Sequence, residues 1–149
     1  MSCDEAYAKI LRLASVKERS SVYLRKRLSQ EGFCEQDVER AIERAMSVGI
    51  VDDARYAEVY LHTGLNAGRG RAGIISELES LNIDLSFLED EINNDEDTEI
   101  SRALQFLEHH PSHAKNKRDG AYRKLMQKGY GSSVSAKAAR LWSEACDES

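Results

Sequence analysis

The sequence predicts an all-α protein. Apolar residues recur at the spacing of one helix face near the start of the chain, as Tyr7, Ile10, Leu11 and Ala14 show. No segment has the strict apolar–polar alternation of a half-buried β-strand. The 149 residues include one Pro and nine Gly. Glycines stand where helices are predicted to end, at Gly32, Gly49, Gly68, Gly70, Gly129 and Gly131.

The same periodicity continues to the end of the chain and predicts the other helices in order. Pro111 ends one of them, because proline cannot donate a helical hydrogen bond. The later helix faces are marked by Leu24 and Leu28; by Val38, Ala41, Ile42 and Ala45; by Tyr56, Tyr60 and Leu61; by Ile74, Ile75, Leu78 and Leu81; by Phe87, Leu88 and Ile92; by Ile100, Leu104 and Leu107; by Tyr122, Leu125 and Met126; and by Val134, Ala138, Leu141 and Trp142.

Three segments share one helix-end pattern, in which a core Leu precedes a Gly or Asn and an apolar residue follows. A Gly or Asn at this position can take the left-handed conformation that closes a helix. The offsets between the copies are fifty and forty-seven residues. We therefore predict three tandem three-helix repeats, over 1–50, 51–98 and 99–149, that stack into an elongated, curved, right-handed or arc-like array. The copies are Leu28-x-x-x-Gly32-Phe33, Leu78-x-x-x-Asn82-Ile83 and Leu125-x-x-x-Gly129-Tyr130.

A short segment, Gly49-Ile50-Val51-Asp52-Asp53-Ala54-Arg55-Tyr56-Ala57, joins the first two predicted repeats. The glycine closes the preceding helix, and the two apolar residues after it bury the link. Asp52 can cap the next helix, while Asp53 is placed to stabilise its positive N-terminal end. A carboxylate pair for acid–base or metal chemistry is disfavoured, because adjacent helix residues point in different directions. The predicted structural junction comprises Gly49, Asp52, Asp53, Arg55 and Tyr56.

Composition places the chain among soluble helical proteins. It is 41% hydrophobic and 32% charged, against about 25% charged residues in an average domain. No apolar run approaches the roughly 20 residues of a membrane span, and the N-terminus lacks a signal-peptide core. The three cysteines, Cys3, Cys34 and Cys146, form no CxxC pair. We expect a reduced, cytoplasmic protein with no cofactor, no metal and no membrane contact.

The net charge of −5 conceals an uneven distribution. Residues 9–32 contain seven Lys or Arg and two acids, and residues 115–128 contain six Lys or Arg and one acid. Between them, residues 72–101 have no basic side chain. Basic clusters can hold phosphates, although a charged helix face is equally expected to be simply solvated. The acidic residues of the middle window are Glu77, Glu79, Asp84, Glu89, Asp90, Glu91, Asp95, Glu96, Asp97 and Glu99.

Four motifs in this order resemble the RecX family of bacterial regulators of the RecA recombinase. The resemblance covers roughly residues 5–83 and is weaker in the last third of the chain. Tyr23 stands where the family usually has a Glu, and Asn82 where it usually has a Gly. The motifs are the basic helix Lys17-Glu18-Arg19-Ser20-Ser21-Val22-Tyr23-Leu24-Arg25-Lys26-Arg27-Leu28, then Gly32-Phe33, the junction described above, and Gly68-Arg69-Gly70-Arg71-Ala72-Gly73-Ile74-Ile75-Ser76-Glu77-Leu78.

The resemblance implies a regulator without enzymatic activity. Members of the family lie in the groove of the RecA–single-stranded-DNA filament, limit its growth or promote its disassembly, and inhibit strand exchange and ATP hydrolysis. The expected partners are therefore a RecA filament and, through the basic clusters, single-stranded DNA. We expect a monomer, with the acidic middle available to basic residues of the filament groove. The candidate filament- or DNA-binding residues are Lys17, Arg19, Tyr23, Arg25, Lys26, Arg27, Arg69, Arg71, Lys115, Lys117, Arg118, Arg123 and Lys124.

Other functions have weaker support in the sequence. A stand-alone DNA-binding protein of helix-turn-helix type remains the alternative, and it would bind duplex DNA without any recombinase. The segment His109-His110-Pro111-Ser112-His113 could suggest a metal site, but the proline breaks the helical i, i+4 presentation that such a site needs. The glycines at 68 and 70 lack the context of a nucleotide-binding loop. No nucleophile–base pair stands out, so no catalytic residue is predicted.

Overall fold

The computed structural model describes residues 2–89 and 95–148. Within these ranges it contains eight α-helices, one 3₁₀ turn and no strand, and the prediction of an all-α protein is confirmed. Asp90, Glu91 and Ile92 of the predictions lie outside the described residues. The helices are α1 (Cys3–Val16), α2 (Ser21–Gln30), α3 (Glu35–Ser47), α4 (Asp53–Asn66), α5 (Arg71–Ser80), α6 (Glu96–His109), α7 (Lys117–Gln127) and α8 (Ser132–Glu148), and the 3₁₀ turn is Ser86–Leu88.

The chain divides into two compact units, residues 1–59 and 60–149, and α4 begins in the first and ends in the second. The predicted three repeats and their curved stacking stay predictions. None of the helices in the described ranges combines the length and the apolar composition that crossing a bilayer requires.

In the first unit, α3 packs against both α1 and α2. Ile10 of α1, Leu24 and Leu28 of α2, and Ile42 of α3 are fully buried in one core. All four were predicted to face inward from helical spacing, because an amphipathic helix must bury its apolar stripe. Each such side chain contributes about 1.5–3 kcal/mol through the apolar area that it removes from water.

The three predicted helix caps have the left-handed backbone that the sequence pattern requires. The φ angles are 97° at Gly32, 58° at Asn82 and 99° at Gly129. In the first copy, the amide of Phe33 donates to the carbonyl of Leu28 at 3.2 Å. In the third copy the residue after the glycine makes the equivalent bond, at 3.0 Å. These bonds satisfy carbonyl groups that would otherwise have no partner at the helix end.

In the second unit, α8 packs against α6 and α7. Leu107, Leu125, Tyr130 and Ala138 are buried in its core. Burial raises the pKa of the Tyr130 phenol, which stays protonated and donates a hydrogen bond to the carbonyl of Gly68 at 2.8 Å. This bond ties the end of α4 to the turn between α7 and α8.

Glycines allow the start of α5 to approach that same turn closely. The amide of Gly70 donates to the carbonyl of Lys128 at 3.1 Å, and the amide of Gly73 donates to the carbonyl of Gly129 at 2.8 Å. A Cβ atom at Gly70 would overlap the backbone nitrogen of Tyr130, and one at Gly73 would lie 2.9 Å from the Cα of Gly129. These two glycines therefore serve backbone packing inside the unit.

We predict that Gly70→Ala destabilises the protein by at least about 2 kcal/mol, because backbone has to move to admit the methyl group. Chemical denaturation followed by far-UV circular dichroism measures the change. Gly131→Ala is the matched control, since its Cβ would meet only the Cβ of Ala72 at 3.7 Å. Equal stability of the two variants would contradict the close-approach interpretation.

Candidate functional site

The predicted junction has the expected local structure. Gly49 has a φ of 79°, and the amide of Ile50 donates to the carbonyl of Ala45 at 2.9 Å to close α3. Val51 is buried. The Oδ1 atom of Asp52 accepts a hydrogen bond from the amide of Arg55 at 3.1 Å, so this aspartate caps α4 as predicted.

Asp53 has a second role that sequence reasoning missed. Its Oδ1 accepts from the backbone amide of Ser21 at 2.7 Å, and its Oδ2 accepts from the Ser21 hydroxyl at 2.6 Å. Asp53 therefore caps the first turn of α2 from the first turn of α4. A carboxylate suits this position because the amides at a helix N-terminus lack intrahelical acceptors and carry partial positive charge.

Arg55 fixes the same junction from its other side. Its guanidinium donates to Glu18 at 2.9 Å, to the carbonyl of Gly49 at 3.0 Å and to the carbonyl of Ile50 at 3.2 Å. The hydrogen bond to Glu18 raises the pKa of this guanidinium. Tyr56, the last predicted junction residue, is half-buried. Every predicted junction residue thus lies in or beside this link.

The second unit contains a comparable arrangement around Glu99, which is 7% exposed. Its Oε1 accepts from the amide of Arg71, the first residue of α5, at 2.8 Å, and its Oε2 accepts from Arg102 at 2.8 Å. Arg102 also donates to the carbonyls of Leu65 at 3.0 Å and Arg69 at 2.8 Å. An acid from a helix later in the chain again caps a helix start, and an arginine again binds carbonyls near a helix end.

Sequence reasoning assigned no role to Glu99 or Arg102, although a signal was available. Arg55 and Arg102 are separated by the same forty-seven residues that separate Leu78 from Leu125. Extending the repeat alignment to polar positions would have paired the two arginines.

The predicted basic helix α2 does not present its cations as one open surface. Arg25 pairs with Glu39 at 2.7 Å, and Arg27 lies 3.6 Å from Glu31. By contrast, Lys26 is exposed and makes no salt bridge within the described residues. Of these three consecutive cations, only Lys26 is both exposed and without a salt bridge to a described residue.

Tyr23 is half-buried and lies among arginines. Its hydroxyl accepts a hydrogen bond from Arg27 at 3.2 Å, and the guanidinium carbon of Arg19 lies 4.9 Å from its ring centroid. Arg19 also donates to the carbonyl of Leu13 at 3.3 Å. Lys17, next to this group in sequence, is exposed and makes no salt bridge in the part of the chain that the structure describes.

Arg69 and Arg71 are engaged inside the second unit. Arg69 pairs with Glu77 at 2.8 Å and donates to the Tyr60 hydroxyl at 3.3 Å, whereas the side chain of Arg71 lies 3.6 Å from Glu99. Their predicted role in phosphate contact stays a prediction, but both guanidinium groups have acidic neighbours already.

Most of the predicted cations before and along α7 are exposed. Lys115, Lys117, Arg118 and Arg123 are exposed and form no salt bridge among residues 2–89 and 95–148. Lys124 is half-buried, with its ammonium group 3.4 Å from the carbonyl of Pro111. Lys117 and Arg118 lie in the first turn of α7, where the helix dipole disfavours positive charge. The presence of these two cations is therefore not explained by a contribution to the stability of α7.

Much of the acidic middle stabilises the second unit itself. Asp95 caps α6 by accepting from the amide of Thr98 at 2.8 Å, and this bond lowers the pKa of Asp95. Glu96 pairs with Lys137 at 2.5 Å, and that contact lowers the pKa of Glu96. Asp84 accepts from the amide of Ser86 at 3.0 Å. The acidic window is thus not simply an unoccupied surface.

The histidines at the end of α6 form no metal cluster. Within the described residues, no group of three or more His, Cys, Asp or Glu side chains is placed to hold a metal ion. His109, His110 and His113 are all exposed.

Comparison with known proteins links this arrangement to one family. Residues 6–44 match the family model described as RecX, first three-helix domain. The chain is 29% identical over 104 residues to the Regulatory protein RecX of Legionella pneumophila (strain Corby), covering 70% of this chain and 69% of that protein. The chain is therefore similar to RecX proteins. It is also 34% identical over 82 residues to the Regulatory protein RecX of Mycobacterium sp. (strain KMS), covering 54% of this chain and 45% of that protein.

Solved structures of RecX proteins have the same fold. A crystal structure of regulatory protein RecX matches with a TM-score of 0.69 and 22% identity, covering 89% of this chain and 68% of the other. RecX from Lactobacillus salivarius matches with a TM-score of 0.72 and 20% identity, covering 95% and 96% of the two chains. The helical architecture is therefore shared with RecX proteins of low sequence identity.

We predict that Asp53→Asn destabilises the protein by about 1–3 kcal/mol, because it removes a charge-assisted cap from α2. Glu35→Gln, at an exposed position in the first turn of α3, is the matched control and should change stability by about 0.5 kcal/mol or less, as expected for a surface position. The free energy of unfolding of each variant decides the comparison. A loss no greater than that of the control would show that the cap is dispensable.

We also predict that Tyr60→Phe raises the pKa of Glu77. The hydrogen bond from Tyr60, and next the interaction with Arg69, hold that pKa below its ordinary value of 4.5. A depressed carboxyl pKa contributes stability above the unfolded value, and this contribution is lost as pH falls through the folded value. NMR titration of the Glu77 carboxyl carbon measures the shift, with Tyr122→Phe as control. An unchanged pKa would exclude Tyr60 as its cause.

Proposed function

We propose that this protein regulates a RecA recombinase by binding the RecA–single-stranded-DNA filament and limiting its growth or activity. Similarity to RecX proteins carries this proposal, because regulation of RecA is the role of that family. Its relatives are named regulatory proteins, which supports action by binding rather than by catalysis. The expected setting is recombination and DNA repair in the cytoplasm.

The distribution of free charge supports specific contact residues. Lys17 and Lys26 in the first unit are exposed without a salt bridge in the described ranges, and so are Lys115, Lys117, Arg118 and Arg123 in the second. Such cations can neutralise DNA phosphates or acidic groups of a protein partner without breaking an internal ion pair. The paired arginines would first have to leave their acids. We therefore assign the contacts to the unpaired subset.

The test follows ATP hydrolysis by the cognate RecA on single-stranded DNA while this protein is titrated in. We expect inhibition by the wild-type chain and weaker inhibition by Lys17→Glu/Lys26→Glu. Arg12→Glu/Arg40→Glu changes the charge equally at exposed positions outside the predicted site and should inhibit like the wild type. In the second unit, Arg118→Glu should weaken inhibition in the same way. Arg140→Glu is its control and should inhibit like the wild type.

Salt dependence adds a second measurement to the same experiment. Removing one phosphate contact should lower the slope of log affinity against log salt by about one. Inhibition that is equal in all variants would refute the assignment of contacts. Tight binding to duplex DNA without recombinase, and no effect on ATP hydrolysis, would favour the helix-turn-helix alternative instead.

A further inference from the structure

The second unit contains a pocket of about 300 Å³ whose lining residues are not among the proposed contact residues. It lies between the end of α4 and the last two turns of α6, and Tyr130 also lines it. The residues that matter for its chemistry are Asn66, Gln105, Phe106, His109, His110 and Tyr130. All of them belong to the same compact unit.

Aromatic rings form part of the pocket lining. The rings of Phe106 and His110 have centroids 4.9 Å apart with an interplanar angle of 34°. The rings of Phe106 and Tyr130 have centroids 6.5 Å apart with an angle of 36°. Tyr130 is buried and fixed by its hydrogen bond to Gly68, whereas His110 is exposed. A planar ligand could stack against the histidine and the phenylalanine.

Positive charge near the rings disfavours a cationic occupant. The Lys128 ammonium lies 5.4 Å from the Phe106 centroid, and the Arg102 guanidinium lies 5.8 Å from the Tyr130 centroid. A lysine or arginine side chain from a partner would be repelled by these two positive charges, whereas an uncharged ring would not be. The occupant that fits is an uncharged planar group attached to an anion.

Polar side chains at the rim suit the edge of such a group. Asn66 and Gln105 are exposed and line the pocket, and carboxamides can pair with both a donor and an acceptor of a base. The ends of α4 and α6 also border it, and their partial negative charge disfavours a phosphate inside. The phosphate would instead remain outside, where Lys128 makes no salt bridge within the described residues.

We propose that this pocket binds one unpaired nucleobase of a single strand, stacked on Phe106 and His110, with Lys128 beside a neighbouring phosphate. The inference rests on the proposed function only for the source of the strand, which would be the DNA of the filament. It gives a role to the His109-His110 segment, for which the sequence argued against a metal site.

The test measures binding of the full chain, without recombinase, to a fluorescein-labelled oligothymidylate and to an abasic oligonucleotide of the same length. Phosphate contacts are the same in both, so a difference reports the bases. We expect the oligothymidylate to bind about tenfold more tightly, as one stacked base provides. The preference should persist as salt rises, because salt weakens mainly the phosphate contacts.

Variants locate the base. His110→Ala should abolish the preference for the oligothymidylate, and Phe106→Leu should do the same while keeping an apolar side chain in the core. His113→Ala removes an exposed histidine that does not line the pocket and should retain the preference. Because His110 is exposed, its variant remains informative even if the phenylalanine variant unfolds.

Three results would overturn the proposal. Equal binding of both oligonucleotides would mean that bases are not recognised. Competition by free ATP at the affinity of the strand would indicate a nucleotide site instead. Loss of recombinase inhibition in His110→Ala, with equal binding of both oligonucleotides, would indicate a pocket for a side chain of the recombinase. Since this binding assay contains no recombinase, its failure leaves the proposed regulation of RecA to stand or fall separately.

Discussion

Caps supplied from another helix are the interaction on which both compact units depend. Asp53 accepts hydrogen bonds from Ser21 at the start of α2, and Glu99 accepts one from the amide of Arg71 at the start of α5. A helix start has amides that need acceptors, and here the acceptors come from a helix that follows later in the chain. Each cap thus stabilises a helix and a tertiary contact at once. The arrangement also constrains the path of the chain between the two helices, because the acid has to lie within hydrogen-bonding distance of a particular amide.

These contacts distinguish cations that stabilise the fold from cations that can bind a partner. Arg55 and Arg102 bind carbonyls near helix ends, and Arg25 and Arg69 pair with glutamates. Their charges are compensated within the protein. The cations at the start of α7 have no such compensation among the described residues and oppose the dipole of their own helix. A residue that works against local stability yet stays solvated is a stronger candidate for external contact than a residue in a cluster identified by composition alone.

Local features of the fold were predictable, whereas tertiary contacts were not. The helices, the left-handed residues at Gly32 and Asn82, and the cap formed by Asp52 follow from patterns spanning a few residues. The second role of Asp53 depends on a partner thirty-two residues away. Sequence spacing also cannot distinguish two kinds of glycine. One kind adopts a positive φ angle, and the other, such as Gly70, allows a second backbone segment to pack closely against it. The pocket was not predicted because it depends on a tertiary contact. Phe106 and His110 line it together with Tyr130, which comes from the turn between α7 and α8.

The protein has a net charge of −5, yet the proposed ligand is an anion. The positions of the acidic residues explain how both can hold. Several of its carboxylates serve as caps or ion-pair partners in the second unit: Asp95 caps α6, Glu96 pairs with Lys137, and Glu77 pairs with Arg69. Net charge therefore overstates the repulsion that a strand would meet, since exposed charges interact mainly within about 8–10 Å in physiological salt. The local balance near α7 is what a phosphate would experience. On this argument, neutralising Glu77, Asp95 or Glu96 would lower the stability of the second unit more than it would change the binding of a strand near α7.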